Sequence, residues 1–262
     1  MTAQGTSERT RETGGSPPAV RRRWTSADAG DRYRKTRWRT QRAGQRDLLL
    51  VKRILERHGR EPWRGGILDA PCGTGRLRPV LDVGDQRYVG LDVSPVMLAA
   101  AEDAPVPSLV RASADELPFA DDTFDVVVSC RLLHHLQDRE TLQRFVHELT
   151  RVSARLVIAS FWDAASLPAW RRRVGLRKSR RPEGRHAVPK VVLKELFEAA
   201  GAPIVGFHHS FRFVSQQTFL VAHKYARSRA TARHPERQRG QGASELLDNP
   251  AGLGGEGALG QA

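Results

Sequence analysis

Apolar positions divide the chain into short solid runs and longer periodic stretches. Leu48, Val51, Ile54, Leu55 and His58 recur at helical spacing, and Gly59 follows as a stop. An amphipathic helix therefore precedes the first strand. "GILDA" (Gly66–Ala70), "RYVGLD" (Arg87–Asp92), "SLVRAS" (Ser108–Ser113), "FDVVVSC" (Phe124–Cys130) and "ARLVIASF" (Ala154–Phe161) read as strands. "FDVVVSC" does not alternate, so both of its faces need cover. Helical patterns sit between the strands: Pro95–Glu102, and Glu140–Val152 with Leu142, Phe145, Val146 and Leu149 on one face. A third helix, Val191–Ala200, is stopped by Gly201. "IVGFHHSFRF" and "QTFLVAHK" follow, close enough to pair as antiparallel strands. Strand–helix alternation around continuous apolar strands argues for a parallel sheet covered on both sides. The expected class is α/β: a doubly wound, Rossmann-like, seven-stranded sheet, mostly parallel, with an antiparallel C-terminal hairpin strand.

The ends break this pattern. Residues 1–29 and 227–262 are rich in Gly, Ser, Thr, Pro and Arg, with almost nothing to bury. They read as a disordered arm and a disordered Gly-rich tail around a domain at 30–226. No run approaches the roughly 18 apolar residues of a membrane span. The N-terminus lacks the apolar stretch of a signal peptide, and "RRRW" (Arg21–Trp24) is not followed by one. A cytoplasmic protein is the expectation. Two cysteines, Cys72 and Cys130, make neither a disulfide framework nor a zinc site by themselves. They are expected to be reduced and packed.

Charge changes the picture because it is uneven. The chain carries +14 overall. Thr2–Arg46 holds 12 Lys/Arg against 4 Asp/Glu, and Arg171–Lys190 holds 9 against 1. Ile67–Asp163 holds 9 against 15. An acidic core thus sits between a basic arm and a basic insert. Such blocks meet phosphates, nucleic acid or anionic lipid, or are simply solvated.

The candidate chemistry starts at "ILDAPCGTGRL" (Ile67–Leu77). A strand leading into a Gly-rich turn and a helix places a ligand at the carboxyl ends of the strands. Gly73 and Gly75 let backbone approach that ligand. The dinucleotide fingerprint fails, because Arg78 stands at its third glycine, and the phosphate loop fails for want of Gly-Lys-Ser/Thr. Asp69, at the strand end, would repel a pyrophosphate. It suits a ligand with an amino group and a cationic centre. Asp92 ends the second strand, 17 residues past Gly75. That is near the interval of an acid that accepts ribose hydroxyls, although Asp92 could instead cap the helix that starts at Ser94–Pro95.

Four ordered stretches carry a resemblance: "LDAPCGTG", "VGLDVSPVML", "ELPFADDTFDVVVSCRLLHHL" and the strand–insert–helix–hairpin ending at "FLVAHK". Over roughly Leu48–Lys224 the chain resembles the class I S-adenosylmethionine-dependent methyltransferases, in the methyltransferase type 11 group that includes quinone-biosynthesis enzymes. Pro71 fills the remaining glycine-like position of that family's first motif. The resemblance implies that Asp69, Ala70, Gly73, Thr74 and Gly75 hold the methionine part of S-adenosylmethionine. It implies that Asp92 takes the ribose and that Val93 lies near the adenine. The family's adenine acid maps to Ser113, followed by Ala114. An acid appears two residues later as Asp115, which reads equally as a surface or capping residue.

Methyl transfer is carried by the cofactor, and the protein binds and orients. The resemblance places the substrate cover at residues 162–190, with Trp162, Trp170 and the densest basic charge. Such a cover would suit an anionic or aromatic small-molecule acceptor, with Arg131 as a further contact. A hydroxyl acceptor needs a base, and His134 and His135 are the candidates. No metal site is expected from the histidine pairs. The expected reaction is O- or C-methylation of a small molecule. The alternatives are an RNA or protein methyltransferase that uses the basic segments, and a non-catalytic cofactor-binding protein. The basic segments hold few aromatics for base stacking, which argues against RNA.

Overall fold

The structure is a computed structural model. It describes residues 44–59, 65–82, 87–101, 108–176, 185–209 and 215–225. The predicted arm (1–29) and tail (227–262) lie outside them.

Helix α1 runs over 44–58. There follow β1 (Ile67–Asp69), α2 (Arg78–Leu81), β2 (Tyr88–Asp92), α3 (Pro95–Ala101), β3 (Ser108–Arg111) and β4 (Phe124–Ser129). A 3-10 turn at Leu133–His135 leads to α4 (Arg139–Val152), β5 (Ser153–Trp162), α5 (Leu167–Arg173), α6 (Lys190–Ala199), β6 (Ile204–His209) and β7 (Gln217–His223). The expected strands and helices are all present, most with ends shifted by a residue or two; the first helix starts at 44, four residues before Leu48, and of the strand read over 204–213 only Ile204–His209 falls within the described residues. The seven strands form one sheet in the order β3-β2-β1-β4-β5-β7-β6. β1 to β5 pair in parallel, and β7 runs antiparallel to both β5 and β6. The hairpin read from the sequence is therefore real.

Alternate residues of one strand enter two different cores. Leu68, Val127 and Leu220 pack with Leu142, Phe145, Leu149, Leu193 and Phe197 of α4 and α6. Ile67, Val126, Val128, Phe219 and Val221 pack with Val51, Ile54 and Leu55 of α1 and with Leu81 of α2. Burial on both faces is why β4 shows no polar alternation. Asp138 caps α4 by accepting from the Thr141 N–H at 2.6 Å.

This order fixes where a ligand can sit. The chain winds outward from β1 to β3, then returns to place β4 against the other side of β1. The loops after β1 and β4 part at that switch point and leave a crevice at the carboxyl ends of the strands.

Candidate active site

Asp69 is the last residue of β1 and is 1% exposed. Its Oδ2 accepts from the Tyr88 hydroxyl at 3.2 Å. Its Oδ1 is buried without a hydrogen-bond partner. Burial pushes this carboxyl up to about 7. The Tyr88 bond and Arg76 oppose the rise, and the Asp92 charge adds to it. The next turn is closed by Gly75 N–H to Cys72 O at 3.1 Å. Gly73 and Gly75 take φ of 57° and 68°, the left-handed region that a side chain disfavours. A Cβ on Gly73 would meet nothing within 4 Å, so its outer side faces open space. Ala70 is buried and Thr74 half-buried.

Asp92 closes β2 and braces this loop. Its Oδ2 accepts from the Gly73 N–H at 2.9 Å, and its Oδ1 from the Ser94 N–H at 2.8 Å. Burial raises its pKa against the pull of the Ser94, Gly73 and Val93 N–H groups. The helix that starts at Pro95 is capped by the Ser94 hydroxyl, which accepts the Met97 N–H at 3.4 Å, so Asp92 does not cap it; the part of Asp92 here is to brace the two turns. That part does not exhaust the carboxylate, because each oxygen keeps acceptor capacity. Half-buried Val93 follows it.

At the end of β3, the half-buried Ser113 donates its hydroxyl to Asp115 Oδ1, and Ala114 between them is buried. Asp115 is 8% exposed, which overturns the surface reading of this residue. Its Oδ2 is buried with no hydrogen-bond partner. The loop that carries it is held by α4. Glu148 accepts from Leu117 N–H at 2.8 Å, and Arg151 donates to Leu117 O at 3.0 Å and Phe119 O at 2.8 Å. Phe119 meets Phe124 edge-on at 4.9 Å.

On the other side of the switch point the side chains answer one another. His134 and His135 are buried in the 3-10 turn after β4. The His134 ring lies flat on Trp162, 4.6 Å between centroids and 3° between planes, and tilts against His135 at 4.4 Å. The Arg185 guanidinium sits over Trp162 at 5.6 Å. The His134 carbonyl accepts from His186 N–H at 2.8 Å, so residues just before α6 pin this turn.

Arg131, the candidate acceptor contact, is engaged by an acid of α1. Its Nη2 and Nε reach Asp47 Oδ2 of α1 at 2.9 and 3.0 Å. Arg76, directly after the glycine loop, reaches the same oxygen at 3.3 Å. Asp47 is 2% exposed and so ties α1 to both loops of the crevice. Sequence reasoning missed Asp47 and Tyr88. No local signal marks either, since Asp47 and Arg131 are 84 positions apart and only the fold joins them. Trp170 stands apart from the other candidates. It lies on α5 and is 46% exposed. A cavity of about 330 Å³ is lined by Thr74 and Gly75 of the glycine loop with Arg78 and Ala101, and one of about 260 Å³ by His58, Asp125 and His223; neither is lined by Asp69 or Asp92.

Residues 68–158 match the family described as "Methyltransferase domain". The sheet aligns with magnesium protoporphyrin IX methyltransferase (ChlM) from Synechocystis with bound SAH at a TM-score of 0.64 and 18% identity, covering 79% of this chain and 99% of that one. Over residues 68–158 the chain is therefore similar to methyltransferase domains. A second structure of the same Synechocystis protein holds SAM. Within the domain the chain is 40% identical over 88 residues to a protein of Encephalitozoon cuniculi named as a methyltransferase, covering 33% of this chain and 39% of that protein. It is 36% identical over 95 residues to demethylmenaquinone methyltransferase of Mycolicibacterium paratuberculosis, covering 36% of this chain and 41% of the relative. The chain thus spans about two fifths of the length of these curated relatives. The matched region includes Asp69, Asp92, Asp115 and the histidine pair, while Asp47, Trp170 and α6 lie outside it.

Proposed function

We propose that this protein is an S-adenosylmethionine-dependent methyltransferase acting on a flat small-molecule acceptor. One observation carries the cofactor reading. Asp69 ends β1 buried, with one carboxylate oxygen unanswered and its pKa raised to about 7. A buried acid in that state is costly unless a cation or donor meets it. The residues present fit such a ligand. Asp69 Oδ1 takes its amino group. The open side of Gly73 admits its methionine part, with Ala70, Thr74 and Gly75 alongside. Asp92 accepts the ribose hydroxyls. Val93 and Ala114 flank the adenine, and Asp115 Oδ2 accepts from the adenine amino group, with Ser113 fixing the carboxylate. When bound, S-adenosylmethionine supplies an electrophilic methyl group on a sulfonium.

The chain's own task is then to place a nucleophile in line and keep water out. His134 and Trp162 stack face to face at the carboxyl edge of β4 and β5, and the edge of that stack gives an aromatic acceptor a surface to pack against. Either histidine takes the proton of a hydroxyl acceptor. The relatives' names point the same way, since demethylmenaquinone and protoporphyrin are flat conjugated molecules. Trp162 serves as wall, and Arg131 serves the clamp on Asp47 rather than the acceptor.

The test is direct. The protein is incubated with methyl-labelled S-adenosylmethionine and a panel of phenols, quinols and porphyrins, and the label is followed by mass spectrometry. Transfer to one class is expected. Cofactor binding without transfer to any small molecule, but with transfer to RNA or protein, would replace the acceptor reading.

A further inference from the structure

The short helix α5 after β5 has an outward face that the methyl-transfer reading leaves unused. Helix α5 is anchored at its base. Asp163 receives Lys190 at 3.0 Å and the Ala165 N–H at 2.9 Å, and the Trp162 carbonyl accepts from Val188 N–H at 2.7 Å. Ser166 caps the helix, taking the Ala169 N–H at 3.4 Å. Pro168 and Ala169 are half-buried and form its inner side. The outer side carries Leu167, Trp170 and Val174, which are 37%, 46% and 46% exposed, and Leu176 follows at 69%.

At 100° per residue, Leu167, Trp170 and Val174 fall within one 60° stripe. Arg171 and Arg173, both exposed, flank that stripe on either side. The surrounding segment Arg171–Lys190 holds 9 Lys/Arg against 1 Asp/Glu. An apolar stripe with one tryptophan, edged by arginines, has the form of a helix that lies in a lipid headgroup layer. Tryptophan prefers that depth, and arginine stems reach the headgroups while the apolar residues enter the acyl boundary.

We propose that the outer face of α5 docks the protein on a bilayer rich in anionic lipid. Other occupants fit less well. Leu167, Val174 and Leu176 cannot stack on bases, so nucleic acid would leave the stripe unused. A second copy of the chain would bring two strongly basic segments face to face. The acidic core, with 9 Lys/Arg against 15 Asp/Glu over Ile67–Asp163, is repelled by the same surface. Charge therefore orients the molecule with α5 toward the membrane. The docked helix begins five residues after Trp162, so the proposed acceptor wall stands beside the bilayer.

The full chain is sedimented with vesicles of phosphatidylcholine alone and of phosphatidylcholine with 30–40% phosphatidylglycerol. Wild type is expected to partition onto the anionic vesicles only. Trp170→Ala with Val174→Ser leaves the charge unchanged and should weaken partitioning about tenfold or more, because exposed apolar area no longer enters the bilayer. Arg171→Glu with Arg173→Glu should weaken it as strongly. Equal melting temperature and equal S-adenosylmethionine affinity of the variants show that the fold is intact. Unchanged partitioning of the Trp170/Val174 variant would overturn the proposal, since charge alone would then account for binding. Failure of the wild type to bind, or binding to RNA in preference to vesicles, would also overturn it. Vesicle binding is read without methyl transfer, so the proposal stands or falls separately from the enzymatic reading.

Discussion

The two sides of the crevice handle polar groups in opposite ways. On the cofactor side, β1 and β2 end in buried acids and a third, Asp115, follows β3 by four residues, and Asp69 and Asp115 each keep an oxygen unanswered. On the acceptor side, Asp47 takes two arginines, and Ser160 accepts from the Arg131 N–H at 2.7 Å and from Gln217 Nε2 at 2.7 Å. What that side presents is a stacked pair of rings. A side that buries unpaired acid is incomplete without a donor-rich ligand. A side whose buried acid is already paired offers shape and a proton. On the reading proposed above, the first recognises one cofactor and the second takes flat acceptors.

The sharpest test of this contrast is at Asp69. Asp69→Asn keeps the shape and removes the charge. S-adenosylmethionine affinity is expected to fall about 10- to 100-fold by calorimetry, the cost of a charge-assisted bond. The ligand-free protein should not be destabilised, because an unfavourable buried charge is gone. An Asn variant that melts lower yet binds the cofactor normally would erase the contrast.

Asp69 also predicts a pH dependence of known sign. Its carboxyl moves from an ordinary 3.8 in the unfolded chain to about 7 in the folded one. Between these values the folded state holds a proton that the unfolded state has released. Stability is therefore fully present below about pH 4 from this group and is lost as pH rises toward 7, by up to roughly 4 kcal/mol. Cofactor affinity should run the other way, rising up to about tenfold per pH unit until Asp69 is ionised. Denaturant melts and calorimetry from pH 5 to 8 read both slopes, and Asp69→Asn should flatten both.

Asp92 separates from Asp69 by what it already does. Asp92→Ala should cost about 2 kcal/mol of cofactor affinity. It should also lower stability by about 1–3 kcal/mol, because the Gly73 and Ser94 N–H groups lose their acceptor. Affinity lost without stability would mean that the loop is braced elsewhere. Asp47→Ala is the matching experiment across the crevice. It leaves Arg76 and Arg131 without their shared acid and releases α1 from both loops. The arginines keep partial solvent access, so a stability loss of about 1–3 kcal/mol is expected. A weaker effect on cofactor affinity than at Asp69 would mark Asp47 as a positioning residue.

The cofactor side was the legible one. Its residues are contiguous: a strand, an acid, two left-handed glycines, and a second acid at a fixed interval. Local backbone demands write themselves into such a stretch. Periodicity likewise exposed the sheet, because β4 and β5 are covered on both faces and cannot alternate. The acceptor side resisted reading because its contacts are made at long range. Arg131 looked available until α1 supplied Asp47; on the cofactor side too, the burial of Asp115, left open by the sequence, depends on α4 holding its loop. The Tyr88 hydroxyl on Asp69 joins neighbouring strands, which no local pattern reveals.

The smallest effects should come from the histidine pair, and they decide which way the acceptor side works. His134 is committed to a face-to-face contact with Trp162, and both histidines are buried. If their part is shape, His134→Phe preserves a flat ring on Trp162 and keeps kcat within about threefold, with KM for the acceptor nearly unchanged. If one of them takes the acceptor proton, the matching His→Gln variant loses kcat by roughly 10²-fold or more and loses the acidic limb of its pH–rate profile. His134→Phe then separates the roles. It retains the stack but cannot accept a proton, so a full loss of kcat with normal acceptor KM assigns the proton to His134. Loss confined to His135→Gln assigns it to the neighbouring ring. Wild-type rates and profiles in all three variants would make the pair a wall only, with the acceptor arriving already nucleophilic, as an ionised phenol or an activated carbon does.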